Sequence, residues 1–220
     1  MEHSEQSTGL AVAGAFSQAN RRALRWKRAI DLAGAAILIA LLSPLLCLIA
    51  LLVRVTSPGA AIYRRRVLGL GGAEFDAYKF RTMRRDADRL LEHESELSRR
   101  YRENMKLRSD PRVTAVVRLL RRLSLDELPQ LFNVLRGEMS LVGPRIIVRE
   151  EGARYGSALA RRLSVRPGLT GLWQVSGRQE VDYNTRIALD LEYIDRWSIQ
   201  LDLQILLRTI PAVLSMRGAY

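Results

Sequence analysis

Two adjacent carboxylates, Asp126 and Glu127, stand in the segment RRLSLDELPQ, just after a pair of arginines and at a predicted helix start. Arg121 opens this segment, and Arg145 follows it at the end of SLVGPR. Guanidinium groups and the N–H groups of a helix N-terminus bind phosphate, while a carboxylate can attack phosphorus or ligate a metal ion. The residue types and their spacing therefore predict phosphate chemistry.

The same segment also has a purely structural interpretation. Ser124 and Glu127 match the S-x-x-E capping box, in which both side chains satisfy N–H groups of the first helical turn. A cap at Ser124 puts Pro129 at the fifth helical position, where it costs a hydrogen bond, whereas a cap at Asp126 puts it among the free N–H positions. The sequence leaves the helix start open between these two residues.

Length and composition narrow the class of protein. The chain has 220 residues, 48% of them hydrophobic and 26% charged, which predicts a folded protein with one sizeable core. Its net charge of +12 predicts a polyanionic partner: nucleic acid, anionic lipid headgroups or a sugar-nucleotide diphosphate. No helix-turn-helix, zinc-knuckle or RNP-type motif is present, which argues against nucleic acid. Cys47 is the single cysteine, and His3 and His93 are too few for a zinc site, as expected of a reducing cytoplasm.

An uncharged apolar run covers residues 32–53, long enough for a membrane segment, which needs roughly 18 residues. Ser43-Pro44 lies in its middle, and proline removes a backbone hydrogen bond and disfavours helix at the preceding residue. Two arms of about 10 residues would each reach roughly 15 Å, half of a hydrocarbon core. These features predict a re-entrant helical hairpin that enters one leaflet and returns.

Basic residues flank this run on both sides, and cations mark the cytoplasmic side of a membrane segment. Similar flanks therefore favour two ends on one face of the membrane over a crossing. The alternative is a spanning helix that is merely kinked at Ser43-Pro44, which membranes tolerate. The flanking cations are Arg21, Arg22, Arg25, Lys27 and Arg28 before the run, and Arg54, Arg64, Arg65 and Arg66 after it.

The predicted organisation has three parts: a flexible tail at 1–20, a basic flank with the re-entrant membrane helix at 21–54, and a cytoplasmic catalytic domain with interfacial helices at 55–220. Within the last part, AIYRRRV and EFDAYKF on either side of LGLGG predict a small β-hairpin. The charged stretch 84–106 predicts a solvated helix, and LDLQILLRTIPAVL an interfacial one. The expected fold class is α/β, predominantly helical, in a monotopic membrane protein.

Several longer strings occur in a specific order: KRAIDLAGAAILIALLSPLL, YKFRTM, RRLSLDELPQLFNVLRGEMSLVGPR and RPGLTGLWQVSGR. From Lys27 to the C-terminus the chain resembles the bacterial sugar transferase family, the monotopic phosphoglycosyl transferases that act on polyprenol phosphate. The KLRSDPRVT segment and the RGAY terminus are similar to exopolysaccharide-type members that use galactose or glucose. SLVGPRII lacks the second proline of the family's usual PRP.

The resemblance implies an activity: transfer of a hexose-1-phosphate from a UDP-sugar to undecaprenyl phosphate, the first membrane step of exopolysaccharide, capsule or O-antigen synthesis. It implies that Asp126 is the nucleophile, which attacks the β-phosphate, releases UMP and forms an aspartyl-phosphosugar intermediate that the lipid phosphate then attacks. Glu127 would act beside it as a Mg²⁺ ligand or general base. Mg²⁺ takes one or two protein carboxylates plus substrate phosphates, so Asp126 and Glu127 suffice as its ligands.

Further site residues follow from the same resemblance. Lys27, Arg28 and Asp31 match a motif that the family carries where the chain enters the membrane, and there the cations would face lipid phosphates. For two of these assignments a structural interpretation stays open. The stretch 166–178 is also consistent with a structural glycine loop that buries Trp173, and Asp190 in RIALDLEYID with an acidic residue on a helix surface. The residues expected to bind substrate are Arg121, Arg145, Arg166, Arg178 and Asp190.

The implied location is the bacterial inner membrane, with the catalytic face in the cytoplasm. Expected partners are the UDP-sugar, undecaprenyl phosphate and the anionic membrane, with a second copy of the chain as a further candidate. The competing class is a non-enzymatic membrane anchor that recruits polyanions through its basic face.

Overall fold

The computed structural model describes residues 18–56, 59–81, 115–177 and 181–215. Residues 1–17 of the predicted tail at 1–20, the predicted helix at 84–106 and the predicted substrate contact Arg178 fall outside the described residues. Residues 18–20, predicted to belong to the tail, are helical instead.

Helices dominate the described part of the chain, joined by two small sheets. The helices are α1 (Gln18–Thr56), α2 (Ala115–Arg122), α3 (Gln130–Arg136), α4 (Arg149–Gly152), α5 (Leu159–Arg162), α6 (Leu172–Val175), α7 (Tyr183–Asp195) and α8 (Ile199–Leu214). The strands β1 (Ile62–Leu68) and β2 (Glu74–Phe80) pair antiparallel, and β3 (Ser140–Val142) and β4 (Gly168–Thr170) pair parallel. The predominantly helical class and the small β-hairpin are confirmed, whereas the sequence did not predict the parallel pair.

The β-hairpin docks on α3 through one buried amide. Asn133 accepts a hydrogen bond from the backbone N–H of Tyr78 at 3.0 Å and donates one to the carbonyl of Asp76 at 2.8 Å. Between the strands, Gly71 and Gly72 adopt positive φ angles of 65° and 83°, the region that favours glycine. The LGLGG stretch is therefore the linking turn of a hairpin, and it presents β2 to the start of α3.

The parallel pair β3–β4 depends on glycines at a close backbone approach. A Cβ added to Gly168 would lie 2.1 Å from the backbone nitrogen of Gly143, and one added to Gly171 would lie 2.1 Å from its carbonyl oxygen. No side chain fits in such spaces, so both motifs, SLVGPR and RPGLTG, need glycine at these positions. Their contact fixes the loop that carries Arg145.

Helix α1 runs without interruption through Ser43-Pro44. Pro44 has no N–H to donate to the carbonyl of Ala40, and the Ser43 hydroxyl donates to that carbonyl instead, at 2.9 Å. The serine thus offsets the bond that the proline removes. The predicted break into two separate helical arms is not seen, and the re-entrant topology stays a prediction.

Helix α1 lies against the protein body along one face and exposes an apolar opposite face. Among the described helices it is the one long and apolar enough to cross a membrane. Its fully buried residues occur on both sides of Pro44: Asp31, Ala35, Ile49 and Val53. Its large exposed hydrophobic residues also occur along the whole length: Trp26, Ile30, Leu32, Ile37, Leu38, Leu41, Leu48, Leu51, Leu52 and Val55.

The charged residues at the start of α1 bind the body, which corrects the prediction that Lys27 and Arg28 face lipid phosphates. Lys27 donates to Asp202 at 2.6 Å and to the carbonyl of Val142 at 3.0 Å. Asp31 accepts from the backbone N–H of Leu141 at 3.0 Å. The physical reason is that a half-buried ammonium group needs a counter-charge, which α8 supplies through Asp202.

Arg28 binds the C-terminal end of α3. Its guanidinium donates to the carbonyls of Val134 at 2.7 Å and Leu135 at 3.1 Å, which no longer have partners within the helix. The basic residues at the start of α1 therefore attach this helix to the rest of the protein.

Candidate active site

The carboxylate pair lies in a short 3₁₀ turn, Leu125–Glu127, ahead of α3. Ser124 adopts a left-handed conformation with φ of 53° and makes no side-chain capping bond, and α3 begins after Pro129 as its N-cap. Both predicted helix starts, Ser124 and Asp126, are therefore wrong, and the capping box is not formed. Proline at the N-cap position loses no helical hydrogen bond, which explains why the helix begins there.

Glu127 sits between two cations from different parts of the chain. Its Oε1 accepts hydrogen bonds from Nζ of Lys79 at 2.6 Å and from Nη2 of Arg145 at 2.8 Å. Burial pushes the pKa of Glu127 upward, but Arg145 and Lys79 outweigh burial and hold that pKa below its usual range. Glu127 is therefore a permanent carboxylate that aligns two cations at the site.

Asp126 is buried, with 7% of its surface exposed. Burial, and next the neighbouring charge of Glu127, raise the pKa of Asp126 to about 6, while Lys79, Arg121 and Arg145 oppose the rise. Near neutral pH it is thus mostly a carboxylate, poorly solvated and surrounded by three cations. Such a group combines nucleophilic character with a phosphate-attracting environment.

Lys79 is a site residue that the sequence reasoning missed. It lies on β2, and its side chain is only 15% exposed, as is expected of a lysine paired inside a site. The YKFRTM string that supports the family resemblance contains it, so that string was the available signal. Nothing in the local pattern of β2 indicates that this lysine, 48 residues before Glu127, reaches the carboxylate pair.

Arg145 is held by its surroundings on two further sides. Its guanidinium carbon lies 5.5 Å from the centre of the Trp173 ring, a cation–π contact with the buried indole. Its backbone forms an isolated parallel β-bridge with Gly168, the residue of β4 that also pairs with Ser140 of β3. The WQVSGR and RPGLTG motifs therefore shape the site by supporting Arg145.

The structure places Arg121, Arg145 and Lys79 close enough to Asp126 for their charges to act on its carboxyl, and Lys79 and Arg145 bond to Glu127. Arg166 is elsewhere: its Nε donates to the carbonyl of Gly137 at 2.8 Å, at the opposite end of α3 from the carboxylate pair.

Asp190 is neither a surface acid nor exposed to a ligand. It is 2% exposed, and its carboxylate accepts a hydrogen bond from the Tyr155 hydroxyl at 2.8 Å. It lies with Tyr193 on the buried side of α7, in the protein interior.

The carboxylates of Asp126 and Glu127 suit a hard divalent cation only if substrate phosphates complete its coordination. Among the described residues no three His, Cys, Asp or Glu side chains gather into a metal-binding group. Asp126 and Glu127 offer adjacent carboxylate oxygens, and within the described contacts Oε2 of Glu127 meets only Nη1 of Arg145, at 3.4 Å. A pair of carboxylates completed by substrate phosphates is a usual Mg²⁺ arrangement, so the residues fit that ion.

Taken together, a poorly solvated carboxylate, a second carboxylate and three cations define a phosphoryl-transfer site. It lies on a body whose longest helix exposes an apolar face.

Comparison with known proteins agrees with this class. The model of the bacterial sugar transferase family matches residues 22–216. The chain is 48% identical over 198 residues to the exopolysaccharide production protein ExoY of Rhizobium meliloti, covering 88% of each chain. It is 45% identical to a UDP-glucose:undecaprenyl-phosphate glucose-1-phosphate transferase of Caulobacter vibrioides, covering 88% of this chain and 72% of that one. It is 44% identical to an undecaprenyl-phosphate galactose phosphotransferase of Salmonella typhimurium, covering 88% and 41%.

The chain therefore belongs to the bacterial sugar transferase family, and the family predicted from its motifs is confirmed. It is a membrane-associated enzyme of the phosphoglycosyl transferase class.

Proposed function

We propose that the protein transfers hexose-1-phosphate, with galactose or glucose as the hexose, from a UDP-sugar to undecaprenyl phosphate and so initiates exopolysaccharide synthesis. Its relatives carry names for both sugars, which supports a hexose donor. The observation that carries the proposal is the position of Asp126: a buried carboxylate next to three cations, with a pKa near neutrality.

The proposed reaction has two steps. An oxygen of Asp126 attacks the β-phosphorus of the UDP-hexose, the bond to the bridging oxygen breaks, and UMP leaves with the bonding electrons. An oxygen of undecaprenyl phosphate then attacks the same phosphorus and displaces the Asp126 carboxylate, which yields undecaprenyl diphosphate hexose. The covalent intermediate lets a soluble donor and a membrane-bound acceptor use one small site in turn.

The residues around Asp126 have separate tasks in this scheme. Arg145 and Arg121 bind the transferred phosphoryl group and stabilise the charge that develops on its oxygens. Lys79 adds a third positive charge and, with Arg145, is aligned by Glu127. Mg²⁺ bound by Asp126 and Glu127 would supply Lewis-acid stabilisation of the donor diphosphate.

The test of this function measures UMP released by the full-length protein in lipid nanodiscs with Mg²⁺. Without lipid acceptor, one UMP per enzyme should appear as a burst, because the enzyme stops at the covalent stage. With undecaprenyl phosphate, release should continue, with UDP-galactose or UDP-glucose preferred. A protein that releases no UMP yet binds anionic vesicles would be the non-enzymatic anchor.

The pH dependence of the burst provides a second measurement. A carboxyl with a raised pKa is protonated below about pH 6, so the burst rate should fall about tenfold per pH unit as pH drops through that value. Added Mg²⁺ favours the carboxylate and should move this limb to lower pH. The half-reaction without acceptor is used because the acceptor phosphate itself titrates in this range. At the lowest Mg²⁺ concentration that supports the burst, a limb at the ordinary aspartate pKa, about 3.9, would contradict the assignment.

We also propose that α1 bends at Ser43-Pro44 within its continuous helix, so that it enters one leaflet of the cytoplasmic membrane and returns, with the catalytic face in the cytoplasm. The support is that Asp31 and Ala35 before Pro44, and Ile49 and Val53 after it, are all buried against one body. In a helix that crosses a bilayer of about 30 Å, one half would lie beyond the reach of that body. The outward face of α1 is apolar on both sides of Pro44, as a helix held at the membrane requires.

Cysteine labelling in intact cells measures this topology. With Cys47 replaced by serine and a single cysteine introduced in the tail at 1–17, we expect no reaction with a membrane-impermeant maleimide until the cells are opened. A second cysteine variant in the β1–β2 turn, at the exposed Leu70, is the matched cytoplasmic control. Labelling of the tail variant alone in intact cells would establish a spanning helix instead.

A further inference from the structure

Among the side chains that the structure describes, Arg162 is the largest that is fully buried, with no exposed surface, and it lies directly behind the site. Its Nη2 donates a hydrogen bond to the main-chain carbonyl of Arg145. That carbonyl belongs to the residue whose guanidinium meets Glu127. A buried cation on α5 is thus bonded to the backbone that carries a catalytic arginine.

Asp190 of α7 balances this charge. Its Oδ2 lies 4.0 Å from Nε of Arg162 and accepts the hydrogen bond from Tyr155, and both charged side chains are at most 2% exposed. The position of Asp190 therefore suits a counter-charge better than a substrate contact, since a ligand cannot reach its carboxylate.

Packing and stability do not account for this arginine. Within the part of the chain that the structure describes, Nε and Nη1 of Arg162 have no hydrogen-bond partner. Buried polar groups without partners cost free energy, and buried ion pairs are often replaceable by apolar residues without loss of stability. The hydrogen bond that Arg162 does make goes to the carbonyl of Arg145.

We propose that Arg162, with Asp190 as its counter-charge, is a positioning residue that fixes the backbone at Arg145 and thereby aims the Arg145 guanidinium at Glu127 and the transferred phosphate. This inference rests on the proposed function. It predicts that the buried pair matters for the chemical step more than for folding.

The same two helices carry a matched control. Arg161, next to Arg162 on α5, forms an ion pair with Asp195 of α7, and these side chains are 52% and 46% exposed. This pair is exposed at the surface, and no described contact joins either of its side chains to Arg145, so it shares the helices and the charges of the buried pair without touching the site. An effect that comes only from joining α5 to α7 should appear in both pairs.

The experiment compares the double variant Arg162→Met with Asp190→Asn against the double variant Arg161→Met with Asp195→Asn in the full chain. Each double variant removes one positive and one negative charge, so the net charge is unchanged. The asparagine that replaces Asp190 can still accept the hydrogen bond from the Tyr155 hydroxyl. We expect the buried double variant to keep a melting temperature close to that of the wild type while kcat for UMP release falls roughly 10–100-fold at little change in KM. The surface double variant should keep the wild-type kcat. A buried double variant with the wild-type kcat would overturn the inference.

A coupling measurement separates positioning from any independent role. In an Arg145→Met background, the buried double substitution should lower kcat by less than about twofold more, because the residue through which it acts is already gone. A full additional loss would contradict the inference. Should the double variant fail to fold, Arg162→Lys keeps the charge beside Asp190 but not the forked donor, and it should still lose kcat; a fully active lysine variant overturns the proposal. Wild-type UMP release, measured alongside, tests the proposed function separately.

Discussion

An Asp126→Asn enzyme should lose both UMP release and the covalent adduct, with activity lower by at least roughly 10³-fold. The amide has nearly the shape of the carboxylate, so it should occupy the same buried position beside Lys79, Arg121 and Arg145. It lacks the negative charge and the nucleophilic oxygen, so neither half of the reaction can proceed through it. Mass spectrometry of donor-loaded protein, without acceptor, would measure the adduct: wild type should gain one hexose phosphate on the peptide that contains Asp126.

The matched control is Asp76→Asn. Asp76 is also an aspartate paired with an arginine, but it lies on the exposed side of the β-hairpin, 3.3 Å from Arg66. It should retain the wild-type burst. An adduct on another residue, or turnover by Asp126→Asn through a single direct displacement, would refute the proposed mechanism.

Replacement of Glu127 by glutamine should lower kcat by roughly 10²–10³-fold even though the nucleophile is still present. Glu127 aligns Lys79 and Arg145 through one oxygen, and the neutral amide would leave two largely buried cations without their common counter-charge. The negative charge that raises the pKa of Asp126 would also be gone, so that pKa should fall. We therefore expect the acid limb of the burst rate to move below pH 6, together with a lower melting temperature.

Glu74→Gln is the control for this prediction. Glu74 also accepts from two arginines, Arg149 at 2.6 Å and Arg66 at 3.3 Å, but on the exposed surface, where such pairs contribute little. Its kcat and acid limb should match those of wild type. A Glu127→Gln enzyme whose acid limb stays in place would show that Glu127 does not set the pKa of Asp126.

Residues that are close in sequence carried most of what could be predicted about the site. Asp126 and Glu127 are adjacent, Arg121 lies one short turn before them, and Arg145 follows after one helix and one strand. The β-hairpin and the apolar helix were also visible, because alternation and uncharged runs are local patterns. The start of α3 could not be predicted. Both Ser124 and Pro129 can stand at a helix start, and the packing of the turn decides between them.

The sequence by itself determined the family, the candidate carboxylate pair and the apolar helix, because their motifs need no partner elsewhere in the chain to be recognised. Tertiary structure decided which charges meet. Lys79 bonds to Glu127, which is 48 residues away in the sequence, and Lys27 bonds to Asp202, which is 175 residues away. Arg162 donates a hydrogen bond to the main-chain carbonyl of Arg145. The physical reason is that a charge is stabilised or perturbed by whatever lies within a few ångströms of it, and only the packing of helices and strands brings those groups together.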